Sequence, residues 1–336
     1  GKLENSLAVD YPPEKLQILV AADGSDDRTP QVVEGFRSAG VELLYSPDRR
    51  GKMAAINRSI PFARGEIIIF SDANNYYTRE TIRELVAPFA DPTIGAVSGS
   101  KIILHGDGVL GESEGLYWKY EAFIKKMESR LGNCTGVSGE ILALRRSLFK
   151  PPPEKIINDD FFMALQVIRD GYRVVYTPNA RSTEHVSPTA QDEIIRRTRM
   201  IAGRYQAMAL SRTILPWRSP LIVWQIVSHK FLRPLVPFAM IGAFCANLIL
   251  VFFPGKGTWN PYLELSYPYN WICIALQLIF YSLARAGVFW ERKSKIGKLL
   301  YLPYYLVNSN LAAMIGLYRF LSKRQTVHWQ RVARRQ

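Results

Sequence analysis

At 336 residues the chain is long enough for one large α/β domain and a smaller appendage. Its 43 Lys and Arg against 29 Asp and Glu leave a formal net charge of +14, yet no compact nucleic-acid motif is visible and the basic residues near the end flank apolar segments, which points to an anionic membrane face and away from nucleic acid. The three cysteines, Cys134, Cys245 and Cys273, lack metal-ligand spacing and argue against a disulfide framework; the four histidines, His105, His185, His229 and His328, form no zinc motif, and only His185 sits near candidate chemistry.

In chain order, Lys2 to Asp10 reads as the end of a helix feeding Tyr11-Pro12-Pro13. Gln17 to Ala22 is an apolar strand ending in the carboxylate of Asp23, within Asp23-Gly24-Ser25-Asp26-Asp27. A helix follows, with Thr29 at its N-cap, Pro30 at its first position and Gly40 beyond its end. Glu42 to Tyr45 is the next strand, and Arg50-Gly51-Lys52 opens a helix through Ala54, Ala55 and Asn57. Ile67 to Phe70 reads as a parallel strand covered on both faces, delivering Ser71-Asp72-Ala73-Asn74 into solvent. Alternating strand and helix predict an α/β fold with a doubly wound sheet. Two such strands ending in Asp, with a basic Gly-Lys step between them, suit a nucleotide diphosphate, because ligands of open α/β sheets bind outside the carboxyl ends of the strands.

Further on, Asn158-Asp159-Asp160 precedes a helix from Phe161 to Asp170 stopped by Gly171. The helix N-terminus favours ionised carboxylates, while Asp159 beside Asp160 pushes at least one pKa upward. Gln191 to Leu210 is a helix with Asp192, Arg196, Arg199, Gly203 and Gln206 on one face and Ile194, Ile195, Ile201 and Tyr205 on the other.

Five segments, Asp23 to Thr29, Gly51 to Asn57, Ser71 to Asn74, Gly136-Val137-Ser138-Gly139-Glu140 and Asn158 to Asp160, occur in the order seen in family 2 glycosyltransferases. The chain resembles most the membrane-embedded branch that includes hyaluronan, chitin, cellulose and poly-N-acetylglucosamine synthases. The resemblance implies a GT-A type sheet and an inverting, metal-dependent transfer from a nucleotide sugar, UDP above all, to a growing glycan at the cytoplasmic face of a bacterial inner membrane. It leaves two alternatives: non-processive transfer of a single sugar to a lipid-linked acceptor, and an inactive scaffold or export subunit. The implied partners are the donor, a glycan or lipid-linked acceptor, membrane lipids, and export or regulatory subunits. In that family a strand ending in a Tyr-Asn-Glu type motif precedes Lys2, so the first strand is expected to be missing from this sequence.

By the same resemblance Asp23 contacts uracil or ribose, Lys52 approaches the diphosphate, and Asp72 binds the metal-diphosphate as the first residue of an Asp-X-Asp motif. Asn74 holds the second position; its amide oxygen can ligate Mg²⁺ or Mn²⁺, with one negative charge fewer. Asp160, beside Asp159, is the implied general base, and Ser138, Gly139 and Glu140 line the acceptor side, Gly139 allowing close backbone approach. Where processive members carry Gln-X-X-Arg-Trp, this chain has Arg196 to Met200: Arg199 matches as a phosphate ligand, Arg196 replaces Gln, and Met200 replaces the Trp that stacks on the acceptor sugar.

The first 215 residues are thus expected to be cytosolic and residues 216–336 membrane-associated. Pro220 to Phe231 reads as an interfacial helix, while Leu232 to Phe253 and Asn270 to Trp290 are long enough to cross a bilayer, with Arg233 and Arg285 snorkelling. Leu299 to Leu321 has basic flanks on both sides and contains Pro303, which predicts a re-entrant, broken or interfacial element. Trp329, in the tail, is a candidate gating or anchoring residue.

Overall fold

A computed structural model describes residues 1–104, 109–185, 190–253, 267–289 and 295–324. The elements run α1 (Lys2–Leu7), β1 (Ile18–Asp23), α2 (Thr29–Glu34), β2 (Val41–Ser46), α3 (Lys52–Ser59), β3 (Ile67–Phe70), β4 (Asn75–Tyr77), α4 (Thr81–Val86), β5 (Ile94–Leu104), α5 (Val109–Leu131), β6 (Leu142–Arg145), α6 (Asp159–Arg169), β7 (Arg173–His185) and α7 (Ala190–Ala209). Then come α8 (Ser211–Ile214), α9 (Pro220–Ile226), α10 (Val236–Phe252), α11 (Tyr269–Phe289) and α12 (Lys295–Leu321).

The strands divide between a parallel pair, β1 with β2, and a five-stranded sheet in the order β3-β6-β5-β7-β4. In the larger sheet only β5 and β7 run parallel; β3 and β5 are antiparallel to β6, and β4 is antiparallel to β7. This corrects the sequence expectation for Ile67 to Phe70. The strand is antiparallel at the end of its sheet, and Ile67, Ile68 and Ile69 are only half-buried. A four-residue apolar run carries no record of its partner's direction, which here is set by a strand some 70 residues downstream.

Alternation along β6 and β7 makes two cores. Leu142, Leu144 and Val174 face α6 and its Phe161 and Leu165, whereas Ala143 and Val175 face the other side with Leu85, Val97 and Ile141. Leu144 is 1% exposed, so truncating it to Ala costs about 2–5 kcal/mol. On the far edge α1 covers β4 through a reciprocal pair: Asn5 Nδ2 donates to the Tyr77 carbonyl at 2.9 Å, and the Tyr77 N–H donates to Asn5 Oδ1 at 2.8 Å. The helix after β1 starts differently from expectation: Arg28 and not Thr29 holds the N-cap position, no side chain caps the helix, and Asp27 Oδ1 accepts the Thr29 N–H at 3.0 Å.

Beyond α8 the chain becomes apolar. Pro220–Phe252 and Tyr269–Phe289 are long and apolar enough to cross a membrane. Within the first, α9 passes into a π-helical turn, Val227–Phe231, before α10 begins. Arg233 Nη1 donates to Glu121 Oε1 of α5 at 2.6 Å. The guanidinium of Arg285 lies 4.9 Å from the Phe289 ring centroid, one turn further along α11. Of the re-entrant, broken or interfacial forms expected for Leu299 to Leu321, the broken one does not occur: α12 is one helix of 27 residues with Pro303 inside it. Tertiary contacts outweigh the lost proline bond, since Arg197 of α7 donates to Ser309 Oγ at 2.8 Å and to Tyr305 Oη at 2.9 Å. Trp329 lies outside the described residues, as does the side chain of His185.

Candidate active site

The site forms where the ends of β1 and β3 meet the N-termini of α3 and α6. Asp23 closes β1, and its Oδ2 accepts the N–H groups of Arg50 at 2.9 Å and Gly51 at 2.6 Å, while Arg58 Nη1 lies 3.4 Å from Oδ1. Asp23 thereby braces the turn that launches α3 and aims Lys52. Gly24 next to it has φ +60°, and a Cβ there would sit 2.4 Å from Arg49 Cβ, so the turn admits only glycine.

Lys52 is the hub. Its Nζ donates to Asp72 Oδ1 at 2.9 Å and stands 3.5 Å from Asp159 Oδ2. Burial opposes the ammonium charge, but Asp159 and Asp72 outweigh it and hold the group above the ordinary lysine range. Asp159 Oδ2 is buried and accepts no hydrogen bond.

Asp160 is held from both sides: its Oδ2 accepts the Gly139 N–H at 3.1 Å and its Oδ1 the Phe161 N–H at 2.8 Å. A Cβ on Gly139 would come within 3.2 Å of the Asp160 side chain, so the absence of a side chain here lets the Gly139 N–H reach that carboxylate. Burial first, then the charge of Asp159, raise the Asp160 carboxyl above its usual range, with Lys230 and Lys52 pulling the other way. Lys230 comes from the π-helical turn after α9, with its Nζ 4.9 Å from the centroid of the Phe161 ring.

α7 closes the site. Gly203 packs on the Asn158 side chain, 2.5 Å from where its own Cβ would be, and Gln206 brackets the loop by accepting the Ile157 N–H and donating to the Lys155 carbonyl. Arg199 therefore faces Asp159, Asp160 and Asp72, and burial draws its guanidinium below the usual arginine range against their pull. Met200 is exposed, and its carbonyl accepts the Asn158 amide at 3.0 Å.

A second cluster lies beside this one. Lys101 bridges Glu140, at 3.2 Å, and Glu184, which also accepts the Asn74 amide. Glu140 is thus committed to an ion pair, with burial opposed chiefly by Lys101 in holding its carboxyl below the usual range. Arg196 bears on the same cluster, opposing the charge of Lys101. Ser138 Oγ accepts Lys125 Nζ at 2.8 Å. Sequence reasoning missed Lys101, Glu184, Lys125 and Lys230. Their roles depend on pairings such as Ile103 with Glu184 across β5 and β7, which no local pattern announces.

For a divalent cation the fit is through oxygen. The carboxylate of Glu184 can only accept, so it takes the amide nitrogen of Asn74 and leaves the Asn74 carbonyl oxygen as the atom that could ligate a cation beside Asp72. Among the described residues no three His, Cys, Asp or Glu side chains are grouped to hold a metal unaided, so substrate phosphates would have to complete the shell.

Residues 3–151 match the family model described as Glycosyl transferase family 2. Among curated relatives, the beta-monoglucosyldiacylglycerol synthase of Synechocystis sp. is 22% identical over 248 residues, covering 70% of this chain and 52% of the relative. The UDP-Glc:alpha-D-GlcNAc-diphosphoundecaprenol beta-1,3-glucosyltransferase WfgD of Escherichia coli is 22% identical over 155 residues, 46% of this chain and 58% of its own. The chain thus spans about half the length of these relatives. Of solved structures, mannosyltransferase PcManGT from Pyrobaculum calidifontis, in complex with GDP-Man and Mn²⁺, superposes with a TM-score of 0.69 at 22% identity, covering 96% of this chain and 83% of that one. That likeness shows the GT-A-like α/β fold, with a curled mixed sheet in place of the doubly wound one expected.

Proposed function

We propose that this chain, whose residues 3–151 form a glycosyl transferase family 2 domain, transfers a sugar from a nucleotide sugar to a hydroxyl of a glycan or lipid-linked acceptor at the cytoplasmic face of a membrane. The observation that carries it is Lys52, set between Asp72 and Asp159, with Asp160 next in sequence and anchored by two backbone N–H groups. The first arrangement suits a diphosphate and the second a base.

Lys52 and Arg199 receive the diphosphate oxygens, and the N-terminus of α3 adds its partial positive charge. Asp160 Oδ takes the proton of the acceptor hydroxyl as that oxygen attacks the anomeric carbon from the face opposite the leaving diphosphate, which inverts configuration. The acceptor side is built by Ser138 and Gly139, with Lys125 fixing Ser138. Mg²⁺ or Mn²⁺ held by Asp72 and the Asn74 oxygen would neutralise charge on the departing diphosphate.

Two features favour one or a few transfers over long processive synthesis: Met200 stands where a stacking Trp would be, and a relative of 22% identity is named for a glucosyl lipid. The deciding experiment offers purified full-length protein a panel of radiolabelled nucleotide sugars, with and without glycolipid acceptors. Donor hydrolysis or transfer supports an enzyme, and product length separates single from repeated addition. Inertness toward every donor would favour a scaffold or export subunit.

A further inference from the structure

α5 is amphipathic in the wrong sense for a helix of a water-soluble domain. Its inward face carries Glu121, Lys125 and Glu128, exposed by 7%, 4% and 5%, whereas Tyr120, Phe123 and Leu131 are exposed by 56%, 60% and 65%. With Met127, the residues at 120, 123, 127 and 131 recur every three or four positions and so form one apolar stripe along the helix. Lys119, Lys126 and Arg130 are exposed beside that stripe, with no carboxylate partner among the described residues.

The inward charges explain how such a helix is held. His229 Nδ1 lies 3.0 Å from Glu128 Oε1, its Nε2 lies 3.5 Å from Glu121 Oε2, and Arg233 binds Glu121 at 2.6 Å. Glu128 also accepts the N–H and hydroxyl of Thr135. His229 and Arg233 belong to the stretch that leads from α9 into α10, so α5 is tied to the foot of the first long apolar helix. Leu221 and Trp224 of α9, 52% and 66% exposed, present apolar surface from the same stretch.

We infer that the Tyr120–Phe123–Leu131 face of α5 lies on the surface of an anionic bilayer, its apolar stripe in the headgroup region and Lys119, Lys126 and Arg130 on lipid phosphates. The chemistry is that of an interfacial helix, an apolar stripe edged by basic side chains, and the helix is tied through His229 and Arg233 to the same stretch that exposes Leu221 and Trp224. One consequence reaches the acceptor side, because Lys125 of this helix is bonded to Ser138. An acceptor held in the bilayer then meets a site whose floor is set by the same surface.

The test uses the full chain with Cys245→Ser and Cys273→Ser and one new cysteine at a time, Phe123→Cys, Leu221→Cys or Phe62→Cys, labelled with an environment-sensitive fluorophore and reconstituted in phosphatidylcholine–phosphatidylglycerol vesicles. Expected are a blue shift and loss of emission with brominated lipid at 123 and 221, and neither at 62. Replacing phosphatidylglycerol by phosphatidylcholine, or combining Lys119→Gln, Lys126→Gln and Arg130→Gln, should weaken the quenching at 123 and leave that at 221. Quenching at 221 without quenching at 123 overturns the inference and leaves the reading of the C-terminal helices intact. A label at 123 shielded from lipid but cross-linking to a second protein assigns the face to a protein partner and also overturns it.

Discussion

Lys52 Nζ donates to Asp72 Oδ1 at 2.9 Å, so the first residue of one α-helix holds a carboxylate two residues beyond a β-strand of the larger sheet. Both groups are about three-quarters buried, and the same ammonium stands 3.5 Å from a second carboxylate, that of Asp159. Lys52→Met is expected to lower nucleotide diphosphate affinity on the order of 10- to 100-fold, the worth of one charge-assisted hydrogen bond. Calorimetric titration with UDP and GDP checks it, with thermal unfolding run alongside to show that the variant folds.

Asp72→Ala is expected to abolish the dependence of donor binding on Mg²⁺ or Mn²⁺, because Asn74 offers an amide oxygen and no charge. Donor titrations at fixed metal concentrations decide this. Equal metal enhancement in the variant would move the cation elsewhere.

Asp160→Asn keeps the size of the side chain and both backbone donors in reach, so nucleotide affinity is expected to stay nearly unchanged while transfer falls about 10²-fold or more. Loss of donor affinity at unchanged turnover would make Asp160 a binding residue instead.

The acid limb of the transfer rate follows from the same carboxyl. Burial and Asp159 raise its pKa, a base works only when ionised, and activity is therefore lost as pH falls through a value above the ordinary aspartate range. Lys230 opposes that shift, so Lys230→Met is expected to move the limb further toward neutrality and Lys230→Arg to hold it near wild type. Rate profiles between pH 4 and 8 read the difference; coincident limbs for wild type and Lys230→Met would remove Lys230 from the base's surroundings.

Orientation has its own test. If the catalytic domain and the end of α12 share the cytoplasmic side, single cysteines at Arg37 and Ser322, both exposed, react together with an impermeant reagent in inverted vesicles and stay protected in intact cells. Reaction of Ser322→Cys alone from outside would put α12 across the bilayer.

What the sequence disclosed and what it withheld divide along the range of the interactions. Asp23, Lys52, Asp72 and the Asp159–Asp160 pair were legible because each sits at the end of a strand or the start of a helix, where local pattern and chain direction agree. The direction of β3 was not legible, since its partner β6 lies some 70 residues away and an apolar run fits either direction. Pro303 gave a misleading signal: local rules break a helix there, but the ties of Arg197 to Tyr305 and Ser309 hold it together. The inverted face of α5 was written in the spacing of Tyr120, Phe123, Met127 and Leu131, yet which face was inward depended on Glu121 and Glu128 finding His229 about a hundred residues later.

Arg197, whose guanidinium also stacks over the Tyr305 ring, is two residues from Arg199 on α7, and Gly316 of α12 lets that helix approach Ile201 and the Thr198 carbonyl closely. Arg199, proposed above to receive diphosphate oxygens, is therefore borne on a helix keyed into the apolar bundle, like a tooth cut into a shaft. Detergents or lipids that loosen the bundle should cost nucleotide affinity while helix content is still intact, and the choice of solubilising medium becomes a variable of the enzyme's chemistry as well as of its handling.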